Sequence, residues 1–357
     1  MKVIHVIGAR PNFMKAAPAI AAIATKPGLS QKIIHTGQHY DKNMSDVFFT
    51  QLRIPHPDFN LGIGSGTHAV QTAQTMIKLE EVLLAEKPNF VLVYGDINST
   101  VAAALVCAKV GIKIGHVEAG LRSRDRSMPE EVNRLVTDQL ADLLFTPSRD
   151  GNANLLKEGI LPEKIYFVGN LMIDTLIRQL KYATMPAIAG VEGKYILVTL
   201  HRPSNVDDPD MLGKIIEALG EISKEVPVIF PIHPRTRLRL AGSSFQVSGL
   251  KNLHLVDPLG YLQFLALQKN AVAVVTDSGG IQEETTYLGV PCLTVRENTE
   301  RPVTVEIGTN ILVGRDMRLL KSEINQILNG KSKRGGIPEF WDGKAGDRVA
   351  QVLQSLA

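Results

Sequence analysis

Residues 115–134, GHVEAGLRSRDRSMPEEVNR, hold three glutamates, four arginines and an aspartate immediately after an apolar run. Carboxylates gathered where a strand ends can take up and release protons, and arginines beside them can orient or neutralise them. Glu118 closes the run HVE, and Asp96 closes the preceding run NFVLVYGD. Glu130 and Glu131 follow Pro129 in what the spacing predicts as the first turn of a helix, where the macrodipole favours acids. Along that segment Val132, Leu135, Val136, Leu140 and Leu143 recur on one apolar stripe. The spacing leaves open which arginine serves which acid.

Three other stretches have residues suited to anions. In GARPNFMK, Gly8 permits a tight turn, Pro11 suits a first helical turn, and Arg10 and Lys15 are placed to approach an anion near that start. No G-x-G-x-x-G occurs there, which disfavours a dinucleotide site. YILVTLHRPSN and VIFPIHPRT each end a strand-like run in a histidine followed closely by arginine, His201 with Arg202 and His233 with Arg235. Two such ends suggest a place that handles anions or protons, and without cysteine partners or helical zincin spacing no metal is expected. In AVAVVTDSGGIQEE an apolar run leads into Ser278, Gly279 and Gly280 at a helix start, where bare backbone N–H groups can approach a diphosphate. Glu284 lies one turn on, within reach of ribose hydroxyls, and Arg301 in RENTERPVT is a candidate phosphate clamp. A third glycine run, LGIGSGTH with Gly62, Gly64 and Gly66, lacks the G-K-[ST] ending and follows PHPDFN, so it reads as a flexible lead into a helix over residues 69–84.

The elements that must hold these residues alternate. KVIHVIG, KIIHTG, NFVLVYGD, KIGHVE, LLFTPS and IYFVGN form one set of short β-branched runs, with helical periodicity between them. YILVTLH, PVIFPIH, LHLVD, AVAVVTD, PCLTV and NILVG form a second set after the irregular KYATMPAIAGVEG. Alternation of this kind means parallel strands with crossover helices, an α/β fold. Two domains follow, 1–170 and 171–340, with a last helix in 341–357 that has no following strand and is free to pack back on the first domain. Ligands of open parallel sheets bind beyond the carboxyl ends of the strands, and two such sheets facing one another make a central cleft.

The totals are compatible with this reading. A chain of 357 residues, 44% apolar and 21% charged, is long enough for two cores. A net charge of +3 without a basic stripe interleaved with aromatics argues against nucleic acid as a partner. Cys107 and Cys292 lie in apolar surroundings and read as buried thiols. The opening MKVIHVIGAR is too quickly interrupted for a signal peptide, and no run approaches the roughly 18 apolar residues of a span, so a cytoplasmic protein with no membrane partner is expected.

GARPNFMK, TGQHYD, VYGD, GHVEAGLRS, MPEEVNR, HRPSN, TDSGGIQEE and TERP occur in this order, and together they resemble the non-hydrolysing UDP-N-acetylglucosamine 2-epimerases over residues 1 to about 314. The resemblance implies a GT-B-like pair of Rossmann-like domains, a homodimer, and reversible conversion of UDP-N-acetylglucosamine to UDP-N-acetylmannosamine, for surface polysaccharide precursors. UDP is eliminated to give 2-acetamidoglucal and then added back, with no cofactor. Carried over, the acid/base carboxylates are Asp96, Glu118 and Glu130, and the catalytic histidine is His201. UDP contacts fall on Arg10, Lys15, His233, Ser278, Gly279, Gly280, Glu284 and Arg301. The chemistry agrees with the residues: inverting C2 needs a proton removed from one face and returned to the other, hence at least two acid/base groups. Pro203 stands where many members have an arginine; Gln38, His39 and Arg202 remain, which leaves activation by a second UDP-N-acetylglucosamine open. The rivals are a 2-epimerase of UDP-2,3-diacetamido-2,3-dideoxyglucuronate, a GT-B glycosyltransferase and a non-catalytic UDP-sugar sensor.

Overall fold

The β-branched runs are strands because they are covered on both faces: all of Phe90–Tyr94 and residues 3–7 are buried, so each reads as a continuous apolar segment rather than an alternating one. The computed structural model describes residues 1–37, 49–241 and 251–357, with Arg10, Pro234, Arg235 and Ala241 described by backbone alone. Gln38 and His39 lie outside the described residues.

Among the described residues there are two parallel sheets. The first contains β1 (Lys2–Ile7), β2 (Ser30–His35), β3 (Phe59–Asn60), β4 (Phe90–Tyr94), β5 (Lys113–Val117), β6 (Leu143–Thr146) and β7 (Ile165–Phe167), in the order β3-β2-β1-β4-β5-β6-β7. The second contains β8 (Ile196–Thr199), β9 (Val228–Pro231), β10 (Leu253–Val256), β11 (Ala273–Thr276), β12 (Cys292–Thr294) and β13 (Asn310–Leu312), in the order β10-β9-β8-β11-β12-β13. Each is a Rossmann-like sheet. Its strand order reverses once, between β1 and β4 in the first and between β8 and β11 in the second, and such reversals are where ligand crevices open. Helix faces complete each core, with Leu79 and Leu83 joining Ile4, Val6, Val91 and Val93 in the first unit. In the second, Ile215 and Leu219 join Ile196, Val198 and Val275.

The glycine run LGIGSGTH follows no buried strand, only the two-residue, partly exposed edge strand β3 paired with β2. Two residues are too few to show periodicity, and PHPDFN has no apolar run to announce them. The following helix, His68–Glu86, is capped by the Thr67 hydroxyl.

The chain divides into two compact units, Met1–Arg178 with Glu339–Ala357, and Gln179–Pro338. The first therefore continues past Asn170 into the helix Leu171–Leu180, because that helix is tied to earlier chain. Pro18 lies inside the helix Arg10–Ile23 and has no N–H to offer the Met14 carbonyl; the Thr175 hydroxyl donates to that oxygen instead, at 2.5 Å. Ile177 lies against Gly343. The returning helix Ala345–Ser355 packs on Arg10–Ile23, where a Cβ at Gly346 would stand 2.6 Å from the Pro18 carbonyl oxygen. Trp341, 2% exposed, donates its indole N–H to the Pro147 carbonyl at 3.0 Å.

Asp174 caps the returning helix, accepting from the backbone N–H groups of Ala345 and Gly346 at 3.2 and 2.8 Å. Burial pushes its carboxyl up to about 6 despite these donors. A carboxyl that holds its proton more tightly folded than unfolded gives stability that is complete below about pH 4 and is lost as pH rises through about 6. Urea titrations are expected to show the difference between the native protein and Asp174→Asn changing by on the order of 3 kcal/mol across that window. A constant difference would contradict the assignment.

Both cysteines are buried, and burial pushes their thiols up to about 12 for Cys107 and about 11 for Cys292. Among the described residues no helix is long and apolar enough to cross a membrane.

Candidate active site

In the first unit the candidate residues lie beyond β1, β4 and β5. β4 and β5 pair in parallel from Phe90↔Lys113 to Tyr94↔Val117, so Asp96 and Glu118 leave neighbouring strand ends. Glu118 is held in the left-handed region at φ 75, a conformation costly for a residue with a side chain. The backbone N–H groups of Glu118 and Ala119 both donate to the Phe145 carbonyl at 3.0 Å, which fixes the bend. The Glu118 carboxylate meets the Lys15 ammonium, and both residues are buried, at 7% and 6% exposure. Gly95 lies directly against this pair. Its φ is 63, and a Cβ there would stand 2.8 Å from Lys15 Nζ and 3.2 Å from Glu118 Oε2, so the turn carrying Asp96 needs glycine on both counts.

The helix Pro129–Leu140 corrects the simple reading of its apolar stripe. It ends before Leu143, which belongs to β6, and its buried residues are Glu131, Asn133, Arg134, Thr137 and Asp138, while Val132 is 46% exposed. The inner face is polar because it satisfies charge and backbone donors already inside. Arg134 spans Asp96 (Nη1 to Oδ2, 2.5 Å) and Glu131 (Nη2 to Oε2, 2.7 Å). Glu131 also accepts from the Ser123 and Arg124 backbone N–H groups at 2.9 and 2.8 Å, so it braces the loop after Glu118. Burial opposes ionisation of Glu131, but the Arg134 pairing and these N–H groups outweigh it and hold the carboxyl below the usual range. Asn133 donates to the Asp96 carbonyl at 2.8 Å.

A second buried group supports the same turn. His116 Nε2 lies 2.8 Å from the Gly95 carbonyl, to which it donates, and Nδ1 faces Asp138 Oδ1 at 2.6 Å. Arg122 completes the group, 2.7 Å from Asp138 Oδ2 and 2.6 Å from Glu158 Oε2. Burial works against the Asp138 charge, yet His116 and Arg122 keep its carboxyl below the ordinary value.

Among the sequence candidates of this unit, contacts therefore join Lys15, Glu118 and Asp96 through Gly95. Glu130 is exposed in the first turn of the helix that supplies Arg134. Arg10 begins the helix Arg10–Ile23, whose entry is held by Asn12: its Oδ1 accepts from the Gly8 and Ala9 N–H groups, and its Nδ2 donates to the Tyr94 carbonyl at 2.7 Å.

In the second unit His201 follows β8 and Ser278–Gly280 follow β11, the pair flanking the strand-order reversal. The helix Gly279–Leu288 begins without a side-chain cap from Ser278. Arg301 lies against Gly279, where any Cβ would strike its guanidinium. It is 7% exposed and paired with Glu300 and with Glu283 (Nε to Oε1, 2.9 Å). Glu284, 2% exposed, accepts from the Tyr261 hydroxyl at 2.9 Å. His233 is exposed beyond β9, which is paired with β8. Asp277, one residue before Ser278, was not singled out by sequence, nor were Arg134, Asn12 and His116, and Glu131 was named only as a helix-start acid beside Glu130. The signal for Arg134 was present in PEEVNR, where acid and arginine stand at i and i+3 or i+4.

Known proteins resemble this chain along nearly its whole length. The family model described as UDP-N-acetylglucosamine 2-epimerase matches residues 21–354. The UDP-N-acetylglucosamine 2-epimerase of Methanococcus maripaludis is 45% identical over 365 residues, 99% of this chain and 98% of the relative. The UDP-2,3-diacetamido-2,3-dideoxy-D-glucuronate 2-epimerase of Pseudomonas aeruginosa is 44% identical over 360 residues, covering both chains fully at 100%. The crystal structure of the Methanocaldococcus jannaschii UDP-GlcNAc 2-epimerase in complex with UDP-GlcNAc and UDP superposes with a TM-score of 0.90 at 45% identity, over 99% of this chain and 100% of that one. With its parallel sheets, strand-end acids and near-complete alignment, the chain belongs to the UDP-N-acetylglucosamine 2-epimerase family.

Proposed function

We propose that the protein interconverts UDP-N-acetylglucosamine and UDP-N-acetylmannosamine by eliminating and re-adding UDP. The observation that carries this reading is the pair of carboxylates, Asp96 and Glu118, on adjacent strand ends, each held by its own cation. With Glu130 they supply more than one acid/base group, as an inversion requires. A base takes the C2 proton, the C1–C2 double bond forms, and the electron pair of the C1–O bond leaves with the diphosphate. Return of a proton to the opposite face of C2 and of UDP to C1 completes the exchange. The uncapped helix start at Ser278–Gly280, with His201 at the neighbouring strand end, stabilises charge growing on the diphosphate. Arg10, Lys15, His233, Glu284 and Arg301 are proposed to complete the UDP contacts.

Proton NMR of the protein with UDP-N-acetylglucosamine in deuterated water, without any acceptor, tests this. The C2 epimer and deuterium at C2 are expected; neither appearing would reject the reading. Acceptor-free isomerisation also separates it from a glycosyltransferase or a sensor. The Pseudomonas aeruginosa relative favours a second reading, epimerisation of UDP-2,3-diacetamido-2,3-dideoxyglucuronate. Parallel incubations with both nucleotides decide by the larger kcat/KM.

The proposed assembly is a homodimer. The outward stripe of Pro129–Leu140 and Val70, Ile77 and Leu84, spaced by seven on His68–Glu86, leave large apolar side chains in water. Val132, Ala69, Ala73 and Met76 line a depression of about 550 Å³ between these helices. Val132→Glu is expected to shift the sedimenting species from dimer to monomer, and a native protein that sediments as a monomer would overturn the assembly.

A further inference from the structure

We infer that Asp277 is a positioning residue for His201, holding the Nδ1 edge of the imidazole so that Nε2 is the atom presented to the departing diphosphate. The inference rests on the reaction proposed above and goes further, to which ring atom acts and what fixes it.

The two residues stand at the reversal of the second sheet. β8 and β11 pair up to Thr199↔Thr276, and the chains then run on to His201 and Asp277. Asp277 is fully buried, at 0% exposure. Its Oδ1 lies 2.8 Å from His201 Nδ1 and 3.1 Å from the His201 backbone N–H. Its Oδ2 accepts from the Arg202 N–H at 2.9 Å and from the Asn205 amide at 3.0 Å. Arg202 Nε donates to the Asp277 carbonyl at 3.1 Å, closing the loop on the strand. Burial alone would favour a protonated Asp277, but His201 first, then Asn205 and the Arg202 N–H, keep its carboxyl below the ordinary value. An ionised carboxylate only accepts hydrogen bonds, so the hydrogen between the two residues belongs to His201 Nδ1.

The His201 side chain is 62% exposed, so the ring is tethered at one edge and open at the other. A carboxylate behind an imidazole fixes its orientation, and a ring carrying hydrogen on both nitrogens donates from Nε2 as well. When the C1–O bond breaks, its electron pair passes to a phosphate oxygen, and Nε2–H donates to that oxygen; on re-addition the same hydrogen bond weakens. Asp277, at the end of β11, is the charged group paired with the ring, and the Arg202 guanidinium is held on the Asp277 carbonyl.

Asp277 also ties the β8 loop down, so the test must separate positioning from mere bracing. A double-mutant cycle does so. In the native background Asp277→Asn is expected to lower kcat about 100-fold, with UDP affinity changed within about 2-fold. In a His201→Gln background the same substitution is expected to change kcat within about 2-fold. Equal losses in both backgrounds would show that Asp277 acts through the fold and would overturn the inference. If Asp277→Asn does not fold, nitrogen-15 NMR of the native protein with UDP decides: hydrogen on both His201 Nδ1 and Nε2 supports the inference, and a ring with hydrogen on only one nitrogen refutes it. That spectrum needs no turnover, so absence of epimerisation would reject the proposed function while leaving the dyad separately readable.

Discussion

Glu118→Gln in deuterated water is expected to lower C2 epimerisation about 10²–10⁴-fold and to abolish deuterium incorporation at C2. The amide keeps the size of the side chain, and its oxygen can still accept from Lys15, while the ability to take a proton is gone. The Ser278–Gly280 helix start and His201 belong to the other unit, and of the proposed contacts in this unit Lys15 keeps an oxygen to donate to, so UDP binding is expected within about 2-fold of native. Glu130→Gln is expected to act in the same direction without disturbing any buried pair, since Glu130 is exposed. Isotope exchange followed by NMR, alongside calorimetric UDP binding, checks both. Unchanged exchange in both variants would remove these glutamates from the chemistry, and a parallel loss of UDP affinity would recast them as binding groups.

Arg134→Met is expected to cost about 3–5 kcal/mol of stability, the usual result of removing one partner from a buried ion pair. Arg134 and Glu131 are each 2% exposed, and the arginine is shared with Asp96. Without it Glu131 keeps the Ser123 and Arg124 N–H groups but no cation. Adding Glu131→Gln to Arg134→Met is expected to recover part of the loss, because it removes the stranded charge. Urea denaturation of the two variants measures this. A cost within 0.5 kcal/mol for the single variant, the range of an ordinary surface change, would mean that water reaches the pair and that the polar inner face of the helix is not what holds it.

The sequence showed most strands, since a parallel strand buried on both faces announces itself as a β-branched run with a polar residue at its end. That rule located Asp96, Glu118, His201 and the Ser278–Gly280 turn, because strand ends are where such sheets place their polar groups. β3 escaped it by having only two residues. The helix Pro129–Leu140 was legible in position but not in orientation: an apolar stripe is ordinarily the inward face, and here interior acids, donors and His116 claimed the polar side instead. For three of the four arginines in residues 115–134 a partner distant in sequence was unreadable, because Asp96, Glu158 and Asn154, which receive Arg134, Arg122 and Arg124, are brought near only by the fold. Asp277 was overlooked for a related reason. Its carboxylate serves a residue 76 positions earlier in the chain, a link that exists only once β8 and β11 lie side by side.

The first unit is not continuous along the chain: its final segment, Glu339–Ala357, is separated from the rest by all of Gln179–Pro338. A polypeptide emerging from the ribosome therefore offers the second unit its full complement of residues while the first still lacks the helix that covers Arg10–Ile23 and the indole that reaches Pro147. Completion of the carboxylate-bearing half waits until Glu339–Ala357 has followed the whole of the second unit out, so of the two it is finished later and is the one more in need of shelter until then.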